Sequence, residues 1–375
     1  MKQKRHFIFA LAMFVGTIIG VGIFGLPYVG ARVGFPVMIG FILIMGALAV
    51  VIHIFFSELA AKTTGLHRLP GYAEIYLGAG AKRATLIIQL LNLFGALLAY
   101  LIIGGQFLAY LFGGSVYLYT FIFLLLGALL IWRDQQSIGT VELILLVIFV
   151  LVVIFFSVLG FGHVQSDHLG TTDWRYIFLP YGVVIFSLWG TSIIPEVKEM
   201  LGGDRRQLRK LIMWGIGISA VIYLLFMTVV IGVSGPQTTS DAISGLRVSF
   251  GDWVLKIGYV FGILTTFTSF ITLGLTVKKL FWYDYGVPKR IAWFVAVTVP
   301  VLMFVSGLKD FITVIGLTGA VMLGLEGIII TIIYLKIKKK EYMKQYSLLK
   351  YFGTAVISLL SIGVVLEVYF TTKGF

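Results

Sequence analysis

Groups able to do chemistry are few in this sequence of 375 residues, and several stand inside apolar runs where they are costly. Glu326 lies deep in a run from 310 to 335, and a carboxyl at such depth costs about 2.5–3.5 kcal/mol on insertion scales. Held there, it either takes up and releases a proton or is bonded in place to Thr318, Thr331 or another helix. His53 lies one turn inside the end of a second run, 36 to 57. It is either a proton relay or, more simply, a histidine hydrogen-bonded to a neighbouring helix. In a third run, 252 to 277, Thr265, Thr268 and Ser269 share one helical face. Three hydroxyls there either offer hard oxygen ligands to a small alkali cation or bond back onto their own helix. Tyr100, midway along 84 to 112, either closes over a ligand or packs as an ordinary aromatic. The sequence has no cysteine and no HExxH-like dyad, so thiol and zinc-hydrolase chemistry have no residues to work with, and the chain does not read as an enzyme.

Backbone is the other source of chemistry. The stretch GTIIGVGIFGLP, Gly16 to Pro27, places Gly16, Gly20, Gly22 and Gly25 inside an apolar run. Each helical glycine costs about 1 kcal/mol relative to alanine, so the helix is expected to open, and an opened backbone at membrane depth is tolerated only beside a cavity or site. Close packing through small residues is the alternative. A second interruption, SLWGTSIIPEVKEM, gathers Ser187, Gly190, Thr191, Ser192 and Pro195. Proline removes a backbone donor, and the hydroxyls stabilise an opened backbone. Paired interruptions at corresponding places in two halves point to an inverted-repeat transporter with its site between them.

Apolar runs long enough to cross a bilayer must position these groups. Residues are 59% hydrophobic and only 12% charged, and the runs predict eleven spans: 7–31, 36–57, 84–112, 116–132, 138–161, 176–200, 208–233, 252–277, 290–306, 310–335 and 348–371. The chain reads as one all-α integral membrane domain over 1–375, with repeat one about 7–161, repeat two about 176–335 and an extra helix about 348–371. The first run is too long for a signal-peptide core and is expected to be retained. The connection from Ala60 to Arg83 is long enough for a short helix. A net charge of +13 raises the question of nucleic acid. Most of the 29 Lys and Arg, however, alternate to one predicted side of the membrane, which places the N-terminus in the cytoplasm of a cell with this protein in its inner membrane and the C-terminus outside. Glu58 is expected to pair with nearby cations and Glu367 to sit at the outer interface.

The two interrupted stretches carry a resemblance. GTIIGVGIFGLPYVGARVGFP resembles the first-helix signature of the amino acid/auxin permease family, in its hydroxy and aromatic amino acid permease branch within the amino acid-polyamine-organocation superfamily, and FSLWGTSIIPEVKEM is similar to that family's sixth helix. The resemblance implies a LeuT-like fold of two inverted five-helix repeats plus one extra C-terminal helix, alternating access, and coupling to a proton or sodium gradient without a further cofactor. It implies opened backbone at Thr17, Ile18, Gly20, Val21 and Gly22 for a substrate carboxylate. Carbonyls of Ser187, Leu188 and Trp189 beside Gly190 would take the ammonium, with Phe186 and Trp189 bordering the side-chain pocket. Thr265, Thr268 and Ser269 match the region that completes a sodium site in sodium-coupled relatives, yet those relatives carry asparagine where this chain has Gly16. That departure, with Glu326, favours protons over sodium. The expected function is import of a neutral, aromatic or hydrophobic, amino acid by proton symport. A sodium symporter or exchanger of the same fold is the alternative, and a sensing receptor or a channel is the reading from another class.

Overall fold

The computed structural model describes residues 2–65, 67–133, 139–341 and 346–373. The first span is two helices, α1 (Lys2–Ile18) and α2 (Gly22–Val33), bent by 54° across the residues between them. Gly34, at φ 105°, turns the chain tightly into α3 (Phe35–Lys62). The short α4 (Leu69–Leu77) occupies the long connection, and α5 (Ala79–Phe112), α6 (Val116–Trp132) and α7 (Gly139–Phe161) complete the first half. After α8 (Ser166–Gly170) comes the second interrupted span: α9 (Leu179–Leu188), a 3₁₀ turn Thr191–Ile193, and α10 (Ile194–Met200). Then follow α11 (Arg205–Ser234), α12 (Arg247–Lys279), α13 (Lys289–Val305), α14 (Phe311–Leu317) running through a π-helical turn, Thr318–Leu323, into α15 (Gly324–Glu341), and finally α16 (Tyr346–Lys373).

Six of these helices are long and apolar enough to cross a membrane, the bent α1–α2 pair makes a seventh, and α6 and Leu146–Phe161 of α7 are shorter apolar helices. With α13 and the interrupted α9–α10 unit, the order of the eleven expected spans is kept among the described residues. Boundaries differ where polar ends extend a helix beyond its apolar core. The first span begins at Lys2 rather than 7, the third at Ala79 rather than 84, and the tenth runs to Glu341 rather than 335. The eighth carries a non-helical Gly251 (φ 72°) near its start, which the hydropathy pattern does not register.

Helix packing repeats between the two halves, as an inverted repeat requires. The contact of α1 with α11 has a counterpart in α9 with α3, the contact of α1 with α7 in α9 with α14, the contact of α5 with α13 in α12 with α6, and the contact of α5 with α14 in α12 with α7. Exchanging the two halves maps each pair onto the other, as two copies of one unit inserted in opposite senses require.

Large apolar side chains on the outer faces, such as Val158, Leu302 and Val365, are exposed, which suits a lipid solvent and would be an aggregation hazard in water. Polar groups that remain inside are spent on helix ends and crossings. Lys278 of α12 is fully buried and donates to the carbonyls of Ile131 (2.7 Å) and Trp132 (3.2 Å), closing the last turn of α6, where a cation also meets the negative end of the helix dipole. Glu58, buried at the end of α3, is paired with Arg209 of α11 and, at 3.0 Å, with Lys338 of α15. The expected pairing of Glu58 thus ties three spans together at the side assigned above to the cytoplasm.

Candidate functional site: two facing helix breaks

The two interruptions lie against each other. Gly22, first residue of α2, approaches Ser187 so closely that a Cβ on Gly22 would stand 3.0 Å from the Ser187 Cα. On the other side, a Cβ on Gly190 would come within 2.8 Å of Ile18. Glycine is required at both places because the two broken spans leave no room for a side chain between them. At the first break only Ile19, Gly20 and Val21 leave the helix, so the opening is narrower than expected. Thr17 is still helical, exposed, and donates its hydroxyl to Met13 O at 2.9 Å. At the second break Trp189 is extended (φ −94°, ψ 126°) and Gly190 follows at φ −144°.

The breaks leave peptide groups without protein partners. Among the described residues, the amide N–H of Gly22 has no acceptor, and the carbonyls of Leu188 and Trp189 have no donor. Buried backbone groups are nearly always paired, and each one left unpaired costs about 1–3 kcal/mol. The amide end of α2 carries positive partial charge, while the two carbonyls carry negative. The arrangement complements a small zwitterion.

Two side chains hold the breaks open, one of them, Tyr223, not singled out in the sequence. Tyr223 of α11, fully buried, directs its hydroxyl at the carbonyl of Ile18 (2.9 Å) and the carbonyl of Ser187 (2.7 Å), the last helical carbonyl before the first break and one just before the second. Its single hydroxyl hydrogen is shared between them. His53 of α3 is the second. Its Nε2 accepts from the N–H of Gly190 (2.9 Å) while Nδ1 lies 2.6 Å from Ala49 O. An acceptor at Nε2 and a carbonyl at Nδ1 fix the neutral tautomer with the proton on Nδ1. Of the two roles open to His53, the structure shows the hydrogen-bonded fastener. The only sequence signal for Tyr223 is a lone phenol in an otherwise wholly apolar mid-span stretch, AVIYLLF.

Glu326 of α15 is buried and joined to the second break. The hydroxyl of Thr191, first residue of the 3₁₀ turn, donates to Glu326 Oε1 at 2.5 Å. Asn92 of α5 also reaches the carboxyl, and Trp189 faces it without completing a hydrogen bond. The sequence offered Thr318 and Thr331 as partners; both instead donate to their own helix backbone, at Val314 O and Gly327 O. Trp189 packs edge-on against His53, with ring centroids 5.6 Å apart, and against Gly327. It faces α15, while Phe186, one turn back on α9, is half-buried.

Tyr100 of α5 stands over the first break. A Cβ on Gly20 would come within 2.6 Å of its hydroxyl oxygen, and Ser269 and the backbone of Val21 are within its reach. The three-hydroxyl face of α12 therefore divides. Ser269 meets Tyr100, whereas Thr265 donates to Phe261 O and Gly262 O, and Thr268 to Leu264 O and Thr265 O, all between 3.1 and 3.2 Å. Gly16 is not crowded: a Cβ there would make ordinary contact with Leu146, at 3.8 Å. Among the described residues no group of three His, Cys, Asp or Glu is arranged to hold a metal ion.

Two interrupted spans from exchanged halves, meeting at glycines within the spans, define a membrane transporter with the LeuT-like fold. Solved structures support that fold across nearly the whole chain. MhsT in complex with L-phenylalanine matches with TM-score 0.62 at 16% identity, covering 95% of this chain and 98% of that one. Mhp1, a nucleobase-cation-symport-1 family transporter with bromovinylhydantoin bound, matches with TM-score 0.67 at 14% identity, covering 98% and 92%. The chain belongs to the tryptophan/tyrosine permease family, whose model matches residues 3–371. A curated relative, tyrosine-specific transport system 1 of Haemophilus influenzae, is 25% identical over 286 residues, 69% of each chain. The protein is thus an integral membrane transporter and not an enzyme.

Proposed function

We propose that this protein imports an aromatic amino acid, of the tyrosine or tryptophan class, across the inner membrane together with a proton. The observation that carries the reading is the set of unpartnered peptide groups at the facing breaks. The Gly22 N–H at the amide end of α2 suits a carboxylate, and the Leu188 and Trp189 carbonyls suit an ammonium. The aromatic class is supported by the family and by a tyrosine-specific relative. Tyr100, Phe186 and Trp189, aromatic residues at or beside the breaks, would border the substrate ring.

Coupling is assigned to Glu326. As a carboxylate it takes a strong charge-assisted hydrogen bond from Thr191, and this fixes the start of the 3₁₀ turn. Protonation removes the charge and weakens that bond, so proton occupancy and the conformation of the α9–α10 break become linked. One charge moving down 100 mV supplies about 2.3 kcal/mol, enough for roughly fifty-fold accumulation at about 1.4 kcal/mol per decade. Alternating access would proceed by movement of the interrupted spans against α5 and α12, with the N-terminus cytoplasmic and the C-terminus outside. A thermal-shift screen of the twenty amino acids, at two pH values and with and without sodium, tests the reading. Stabilisation by aromatic amino acids that depends on pH and not on sodium is expected; stabilisation confined to non-aromatic ones, or found only with sodium, would refute it.

A further inference from the structure

A crevice of about 670 Å³ opens between α3, the start of α9 and α16, well away from the helix breaks. Its walls are mostly apolar, with four aromatic side chains, Phe41 of α3, Trp174, Phe178 and Tyr181 of α9, and Ile362 of α16 among them. One ionisable carboxyl lines it: Glu367 of α16, which the sequence placed at the interface. The Glu367 carboxyl is half-buried, with Oε1 turned toward Gly316 of α14, and it makes no hydrogen bond or ion pair among the described residues. No Lys, Arg or His lines the crevice.

A lipid acyl chain would fill this volume but leave the carboxylate unanswered, and an unpaired charge in such surroundings is expensive. An amino acid would bring its own carboxylate against Glu367 with no cation to meet it. A protonated amine on an aromatic or aliphatic body satisfies both features, since its charge pairs with Glu367 and lies among ring faces. The volume is that of ordinary drug-sized ligand sites, about 300–1,000 Å³. We propose that this crevice is a second ligand site, for lipophilic organic amines that lack a carboxylate. Its position gives binding a consequence. Tyr181 is followed by Gly182, which packs backbone to backbone on Gly316 and on Gly319 of the π turn, so an amine wedged against Tyr181 holds α9 in place and inhibits transport without competing for the breaks.

Binding of radiolabelled tryptamine to the purified full-length protein in nanodiscs tests the assignment independently of transport. Two variants place the site: Glu367→Gln removes the charge, and Gly40→Trp fills the crevice from a helix position where an added Cβ meets nothing within 4 Å. Saturable binding is expected in the parent protein and should weaken about tenfold or more in each variant, the size of losing one charged or one well-packed contact, with thermal transitions kept near the parent's. Tryptophol, the uncharged counterpart, should not compete. Absence of saturable binding in the parent, unchanged binding in either variant, or equal competition by tryptophol would each overturn the proposal.

Discussion

The Tyr223 hydroxyl reaches the Ile18 carbonyl across 2.9 Å, fastening α11 to the last helical residue before the first break. The same oxygen lies 2.7 Å from Ser187 O, so one phenol from the second half braces both interrupted spans. Replacing Tyr223 with Phe keeps the ring and removes the donor. The Ile18 carbonyl keeps the N–H of Gly20, but leaving the buried Ser187 carbonyl unserved costs about 1–3 kcal/mol, so the variant should melt several degrees lower and bind substrate more weakly. Thermal unfolding with and without ligand measures both; an unchanged transition would show that the brace contributes nothing.

His53 separates fastening from proton transfer. Gln at this position offers a carbonyl oxygen near the place of Nε2 and can still accept from the Gly190 N–H, whereas Ala cannot. Uptake should fall about tenfold or more in His53→Ala, the cost of one orphaned buried donor, and should be largely kept in His53→Gln with its proton dependence intact. Loss of proton dependence in His53→Gln would make His53 a carrier after all.

Glu326 and Thr191 should behave as one unit. Glu326→Gln and Thr191→Val each break the link between charge and helix break, so each should still bind aromatic amino acid but lose pH-dependent accumulation. The double variant should be no worse than the singles, as expected for residues acting through one contact. Additive losses would place their roles apart.

Asp241, in the loop between α11 and α12, gives a stability signature. It accepts from the hydroxyls of Thr239 and Ser244, yet burial is the dominant influence and pushes its carboxyl above the ordinary carboxylate range. The folded form therefore holds a proton that the unfolded form has released, and stability falls as pH rises from the ordinary carboxylate pKa through the raised one. Thermal transitions recorded across that acidic window should show this slope in the parent protein and a flatter course in Asp241→Asn. An equal slope in both would remove Asp241 from the account.

The breaks were legible in the sequence because glycine and proline act locally. Gly20, Gly22, Gly190 and Pro195 weaken a helix whatever lies beside it. The buried acid on α15 was legible for the same reason, since a carboxyl at mid-depth needs no neighbour to be conspicuous. Partners were not legible. Tyr223 and Ile18 are 205 residues apart, Gly190 and His53 137 apart, and Thr191 and Glu326 135 apart, so each pairing exists only once distant spans have packed, the first two only once the halves have. Of the two roles open to the hydroxyls on one face of α12, Thr265 and Thr268 take the bond back onto their own helix, and Thr17, which the resemblance counts with the opened backbone, remains in its helix. The π-helical turn at Thr318–Leu323, against which α9 packs, has no sequence mark separate from an ordinary apolar helix.

The most direct measurement is uptake of labelled tyrosine or tryptophan into proteoliposomes under an imposed pH gradient or an imposed sodium gradient. Accumulation above the external concentration when the outside is acidic, indifference to sodium, and loss of accumulation with retained binding in Glu326→Gln are the predicted results. Accumulation driven by sodium alone, or full proton-driven accumulation in Glu326→Gln, would contradict the account.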